Sequence, residues 1–208
     1  MLGFATQFAN ADSGLYVGVG AGYGTINTST TNGFKYEDGA NNKNNGSMLG
    51  SVYVGYDFSR YVGVQFDYNY IANTQYTTGT NATTGVQGSF SASQQLIDLG
   101  ITGHLPFELF ANSLSGISLF GKAAIGYNTV NFNGGTVQTS STPPYIQNLP
   151  SSAQSMVPVL GAGVEYGISS VGIRLEYDYI GNTSVNTNDQ NLMNVNNNIY
   201  LISALYHF

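Results

Sequence analysis

Apolar residues recur at every second position along much of this chain. From Leu15 to Tyr23 the odd positions are Leu, Val, Val, Ala and Tyr, and the even positions from Gly18 to Gly24 are glycine. A strand turns successive side chains to opposite faces, so this stretch has one apolar face and one nearly bare face. Interior glycines mark close approach of other groups, and the bare face is expected to look into a crowded space. A dinucleotide-binding loop is the competing reading of the same glycines, but it needs a third glycine three positions after the second. Tyr23, Thr25 and Asn27 stand there in the three possible registers, so that reading fails.

The period recurs in seven further segments, each with an apolar face and a face of small or charged residues. Val52, Val54, Tyr56 and Phe58 oppose Tyr53, Gly55 and Asp57; after a tight link at 59–60, Val62, Val64, Phe66, Tyr68 and Tyr70 oppose Gln65, Asp67 and Asn69. Ile97, Leu99 and Ile101 oppose Asp98, and Leu119, Ile125 and Tyr127 oppose Phe120, Lys122 and Gly126. Leu160, Val164 and Tyr166 oppose Gly161, Gly163 and Glu165; across a second tight link at 169–170, Val171, Ile173, Leu175, Tyr177 and Tyr179 oppose Arg174, Glu176 and Asp178. The last segment sets Tyr200, Ile202, Ala204, Tyr206 and Phe208 against Ser203 and His207. Links at 25–47, 73–91, 131–152 and 181–196 are long and rich in Asn, Thr, Ser and Gly, and the one after His104 is of middling length. An even number of strands with long links at one end and short ones at the other predicts an all-β, eight-stranded antiparallel up-and-down transmembrane β-barrel.

Aromatic residues sort to the two ends of that barrel. Tyr23, Tyr68, Tyr70, Tyr127, Tyr177, Tyr179 and Tyr200 reach the long-link rim, and Phe58, Tyr61, Tyr166, Tyr206 and Phe208 gather at the other. Two aromatic girdles around an apolar band are what the two bilayer interfaces select, because tyrosine buries its ring and wets its hydroxyl.

Composition narrows the classes further. Charged residues make up 8% of the 208 positions, against roughly 25% in ordinary soluble domains, so a soluble surface is hard to assemble. A net charge of -6 argues against nucleic acid. Cysteine is absent, which removes disulfides and thiolate metal or redox sites. The segment "MLGFATQFANADSG" ends an apolar piece at Ala9-Asn10-Ala11, so residues 1–11 are read as a residual signal peptide and 12–208 as the barrel domain.

The chain thereby resembles the small eight-stranded outer-membrane barrels of Gram-negative bacteria, the outer membrane protein A-like transmembrane domain and the opacity proteins. "GLYVGVGAGYG", "VGYDFSRYVGVQFDYNY", "LFGKAAIGYN", "PVLGAGVEYGISSVGIRLEYDYI" and the terminal "LYHF" carry the resemblance. It implies an outer-membrane location with both termini periplasmic, a monomer bathed in outer-membrane lipid and lipopolysaccharide, and a C-terminal pair, Tyr206 and Phe208, similar to the signal read by the barrel-insertion machinery. The polar links at 25–47, 73–91, 131–152 and 181–196 have two readings that composition does not separate: contacts for a host or surface ligand in an adhesin-like role, as loops on a rigid scaffold provide, or solvated caps over the barrel mouth.

Candidate chemistry lies on the small-residue faces. Asp57, Asp67, Asp98, Lys122, Glu165, Arg174 and Glu176 form an interior charge network, because ionised groups out of water must be paired or neutralised. Lys122 is expected to pair with Asp98 and Arg174 with Glu165. An eight-stranded interior is only just wide enough for its own side chains, which makes the network a polar plug. The alternative is a narrow, gated, cation-preferring path resembling the salt-bridge gate of the family; Lys122→Ala would then raise single-channel activity. "GISLFGKA" half matches a phosphate loop, but Ala123 replaces the Mg²⁺-binding hydroxyl and the alternation runs straight through it. His104 and His207 are both expected at the short-link end, away from the outer rim where lipid-modifying barrels of this kind resemble one another in placing a Ser-His pair. No catalytic, cofactor or metal site is therefore assigned.

Overall fold

A computed structural model of the protein describes residues 14–30, 46–77, 89–133, 136–138, 146–148, 150–187 and 190–208. Strands β1 (Gly14–Thr30), β2 (Gly46–Ser59), β3 (Val62–Thr77), β4 (Ser89–Pro106), β5 (Ile117–Asn133), β8 (Ser152–Ile168), β9 (Val171–Thr187) and β10 (Gln190–His207) close into one antiparallel barrel, neighbour to neighbour in chain order, with β1 on β10. Two short strands that fall between β5 and β8 in the sequence, β6 (Thr136–Gln138) and β7 (Ile146–Asn148), pair antiparallel as a separate two-stranded sheet. The expected eight-stranded up-and-down barrel is therefore the fold.

Closure removes the sheet edges and satisfies backbone groups between strands, which is what a bilayer demands of any spanning structure. Over the spanning part the alternation runs as the sequence predicts. Val54, Phe66, Leu99, Ile125, Ile173 and Ile202 point outward and are exposed, while Asp67, Asp98, Lys122, Arg174 and Ser203 point inward and are buried.

Beyond the upper girdle the pattern inverts. Ile26, Ile71, Val130, Phe132, Val185 and Val195 turn inward and are buried, whereas outward positions such as Asn73 and Gln154 are polar and exposed. Water bathes the outer face there, so the hydrophobic effect gathers apolar side chains inside, as in a soluble barrel.

This inversion corrects the link boundaries. Strand pairing runs through Thr25–Thr30, Asn73–Thr77, Ser89–Ser91 and Asn131–Asn133. Within 181–196 the described residues pair as far as Thr187↔Gln190, with register shifts between Asn191 and Met193 and between Val195 and Asn197. Their Asn- and Thr-rich outer positions mimic a loop, yet Thr183, Val185 and Val195 face inward and hold the pairing. Residues 1–11, expected to be a residual signal peptide, lie outside the described residues.

Candidate functional site: a filled lumen

Glycine makes room for the largest side chains inside. Tyr16 on β1 faces Gly55 on β2, and Gly18 faces Tyr53 in the same pair of strands. A Cβ on Gly55 would fall on the Tyr16 ring, and one on Gly18 on the Tyr53 ring. Each tyrosine thus lies over the glycine directly opposite it, and the two rings meet edge to face at 6.3 Å. The crowded space expected behind the glycines is filled by these rings.

Between them runs Arg174, which is fully buried. Its guanidinium lies 3.9 Å from the Phe120 ring centroid and 5.2 Å from that of Tyr53. Nε and Nη2 donate to Glu165 Oε2 at 3.0 and 2.9 Å, and Nη1 donates to Gln65 Oε1 at 2.8 Å. A planar fork that is weakly hydrated suits this combination of stacking and pairing. The expected Arg174–Glu165 pair forms because the two-residue link after Ile168 sets the two residues opposite each other.

Gln65 joins this lower cluster to an upper one. It accepts from Tyr16 Oη at 2.8 Å, and its Nε2 donates to Asp67 Oδ1 at 2.7 Å. Asp67 and Asp98 are direct cross-strand partners, and both face Lys122, whose Nζ lies 3.7 and 3.9 Å from them. The nearer partners are others. Lys122 Nζ donates to Asp178 Oδ2 at 2.9 Å and stands 3.1 Å from Glu176 Oε1. The expected Lys122–Asp98 ion pair is thus present at 3.9 Å, while the hydrogen-bond acceptor is Asp178, reached across the bare backbone of Gly161.

At the short-link mouth Asp57 lies between the two histidines. Its Oδ1 is 3.9 Å from His104 Nε2 and its Oδ2 is 4.0 Å from His207 Nδ1, and His207 Nε2 is 3.8 Å from Glu165 Oε1. Among the described residues no group of three or more His, Asp or Glu is placed to hold a metal ion. The seven anticipated charges thus form one connected set, which Asp178, Gln65, Tyr16 and Tyr53 complete. The signal for the two tyrosines was their solitary bulk on glycine-rich faces.

Above this charged floor the lumen is packed by an apolar cluster interleaved with buried Gln94, Asn128, Thr183 and Asn197, Asn128 Nδ2 donating to Thr183 Oγ1 at 2.7 Å. Ile26, Leu49, Ile71, Leu96, Val130, Val157, Val159, Ile180, Val195 and Ile199 belong to one buried cluster. Five of them are 0% exposed: Val130, Val159, Ile180, Val195 and Ile199. A hydrophilic interior is expected from the lower strands; the upper half instead carries a buried apolar cluster with uncharged polar residues among it.

Outside, Tyr23, Tyr70, Tyr127, Tyr177, Tyr179 and Tyr200 are exposed, and Tyr68 is half-buried on the same face. Two of their hydroxyls meet polar side chains at the inversion, Tyr127 donating to Gln154 Oε1 at 2.6 Å and Tyr177 to Asn198 Oδ1 at 2.8 Å. Phe58, Tyr61, Tyr166, Tyr206 and Phe208 are exposed toward the other end, where the Tyr206 and Phe208 rings meet edge to face at 5.1 Å.

The outer membrane protein OprG from Pseudomonas aeruginosa superposes with a TM-score of 0.54 at 15% identity, covering 94% of this chain and 96% of that one. Neisserial surface protein A superposes with a TM-score of 0.51 at 12% identity, covering 93% and 97%. At such identities the likeness is one of fold. No curated protein matches the sequence. The outer membrane protein beta-barrel domain family matches residues 1–208. With its apolar outer belt between two aromatic girdles, this chain belongs to that family.

Proposed function

We propose that this protein is a closed, non-catalytic outer-membrane scaffold whose outer rim presents polar loops to surface ligands in an adhesin-like role. The observation that supports this reading is the packed, uncharged roof: Leu96, Val159, Ile180 and Ile199, with Gln94, Asn128, Thr183 and Asn197 buried among them, fill the lumen above the ion-paired floor. An ion crossing there would shed its water in a space already occupied by packed, uncharged side chains, at a cost of several kcal/mol. With the interior occupied, the rigid barrel serves to hold its loops, and loops on rigid scaffolds are where binding resides.

In this reading the short links and both termini face the periplasm, and the monomer contacts lipid and lipopolysaccharide around its belt. Tyr206 and Phe208 are the residues offered to the insertion machinery. The segments around 25–47, 73–91 and 131–152 carry the ligand contacts, and the paired strands within 181–196 extend the rim as a stiff ridge. The competing reading, a cation-preferring path, draws on six buried interior carboxylates (Asp57, Asp67, Asp98, Glu165, Glu176 and Asp178) against Lys122 and Arg174.

Shortening the 31–45 and 78–88 segments to tight turns separates the two. Bacteria displaying the shortened protein should lose attachment to epithelial monolayers while conductance of the purified protein stays at the level of the parent. Unchanged attachment would overturn the proposal.

A further inference from the structure

The link between β4 and β5 differs from the other two at the short end. Arg60 and Tyr61 suffice between β2 and β3, and Ser169 and Ser170 between β8 and β9, but this link runs from Phe107 to Gly116. It forms two 3₁₀ turns, Phe107–Leu109 and Asn112–Leu114. Hairpin links need only about 2–5 residues, so closing the barrel does not demand this length.

The link carries the apolar residues Phe107, Leu109, Phe110, Ala111 and Leu114 outside the core. No residue of the first turn is buried. Phe110 is 70% exposed, Leu109 53% and Leu114 40%. Clustered apolar side chains of this kind mark a contact surface rather than ordinary solvated surface.

The turn is held in place. Phe110 N donates to Phe107 O at 2.9 Å and Leu114 N to Ala111 O at 3.0 Å. Arg60 Nη2 donates to Glu108 Oε1 at 2.7 Å, and its guanidinium lies 5.0 Å from the Tyr61 ring centroid. The pairing neutralises the single acid of the link, leaving a face that an anionic or zwitterionic surface does not repel.

The chemistry of the occupant follows from continuity. Leu105 and Leu119 are cross-strand partners near the foot of β4 and β5, both exposed on the lipid-facing side. The link springs directly from this pair, so the apolar belt continues onto Leu109 and Phe110. We propose that residues 107–114 form an interfacial foot, with Leu109 and Phe110 seated at the headgroup–acyl boundary of the phospholipid leaflet at the short-link end. Binding at this boundary scales with the apolar area a segment buries there, which Leu109 and Phe110 supply. The foot sets how deep the barrel sits. It rests on the membrane-barrel fold alone, and holds whether or not the loops bind a ligand.

The chain contains no tryptophan, so Phe110→Trp creates a single indole at the site. The variant is folded into phosphatidylcholine vesicles, with its heat-shifted gel mobility confirming the barrel, and quenched from two sides. Lipid brominated near the carbonyl end of its acyl chains should quench several-fold more strongly than lipid brominated near the chain end. Aqueous acrylamide should quench several-fold less than in the urea-unfolded chain. Leu119→Trp supplies the reference, with its quenching moved toward the chain end. Where Phe110→Trp does not fold, Leu109→Trp takes its place. Free acrylamide access without bromolipid quenching overturns the proposal. So does acrylamide protection that appears only at high protein-to-lipid ratio without bromolipid quenching, since a second copy would then be the cover.

Discussion

Lys122 and Asp178 meet at 2.9 Å although a whole strand separates them. The strand between is β8, and the residue in their shared row is Gly161, paired with Lys122 on one side and Asp178 on the other. Any larger residue would stand in the path of the ammonium: a Cβ on Gly161 would fall on Asp178 Oδ1 and come 3.2 Å from Lys122 Cβ. The ion pair exists because its middle position is bare.

Gly161→Val should therefore lower stability by about 2–4 kcal/mol, through overpacking and loss of a buried pair. Gly50 points into open space, and Gly50→Val should stay within about 0.5 kcal/mol, the usual range for surface changes. Urea midpoints of the heat-modifiable band in lipid vesicles compare the two; equal midpoints would remove Gly161 from this role.

Arg174→Lys should destabilise although charge is kept. Lysine cannot reproduce the two donations to Glu165, the donation to Gln65 and the stack on Phe120 together, and the loss should be about 2–4 kcal/mol. The double replacement Arg174→Leu with Glu165→Leu should recover much of what Arg174→Leu alone loses, because it leaves no buried charge orphaned. A double-mutant cycle measured by urea unfolding reads the coupling.

Leu96→Ala opens a cavity inside the roof, where neighbouring side chains are fixed by the closed sheet, and should cost about 2–5 kcal/mol. Leu99→Ala, three residues along and 61% exposed on the outer face, leaves a gap that lipid fills, so its loss should be clearly smaller in the same assay.

The inversion of the outer face makes a prediction of its own. Leu99→Arg, within the belt, should lose about 2–4 kcal/mol, the range for a cation near the bilayer midplane. Gln154→Arg, beside the Tyr127 hydroxyl, should lose no more than about 1 kcal/mol, as at an interface. A comparable loss at both sites would mean that the lipid boundary lies above Gln154.

What was legible in the sequence follows from how local the determinant is. Val62 to Tyr70 announces its face because lipid on one side and a crowded interior on the other impose period two over the whole stretch. Glu165–Arg174 was readable because a two-residue link fixes the register between β8 and β9. Lys122–Asp178 was not, because the register of β8 on β5 depends on a long intervening connection. The roof was hidden for a different reason. In "NTVNFN", Asn128 to Asn133, the apolar residues Val130 and Phe132 lie on the face that carries Lys122 lower down, and polar outer neighbours give the stretch the composition of a loop. The role of Gln65 required three partners from β1, β3 and β9 to be placed at once, which no local pattern encodes.

The claim on which the functional reading stands is that the lumen is closed by its own side chains, and electrical recording from the folded barrel in planar bilayers tests it most directly. The account predicts no current steps above the bare-membrane leak, for the parent protein and for Lys122→Ala alike. Regular cation-selective steps from the parent, rising in frequency with Lys122→Ala, would contradict it.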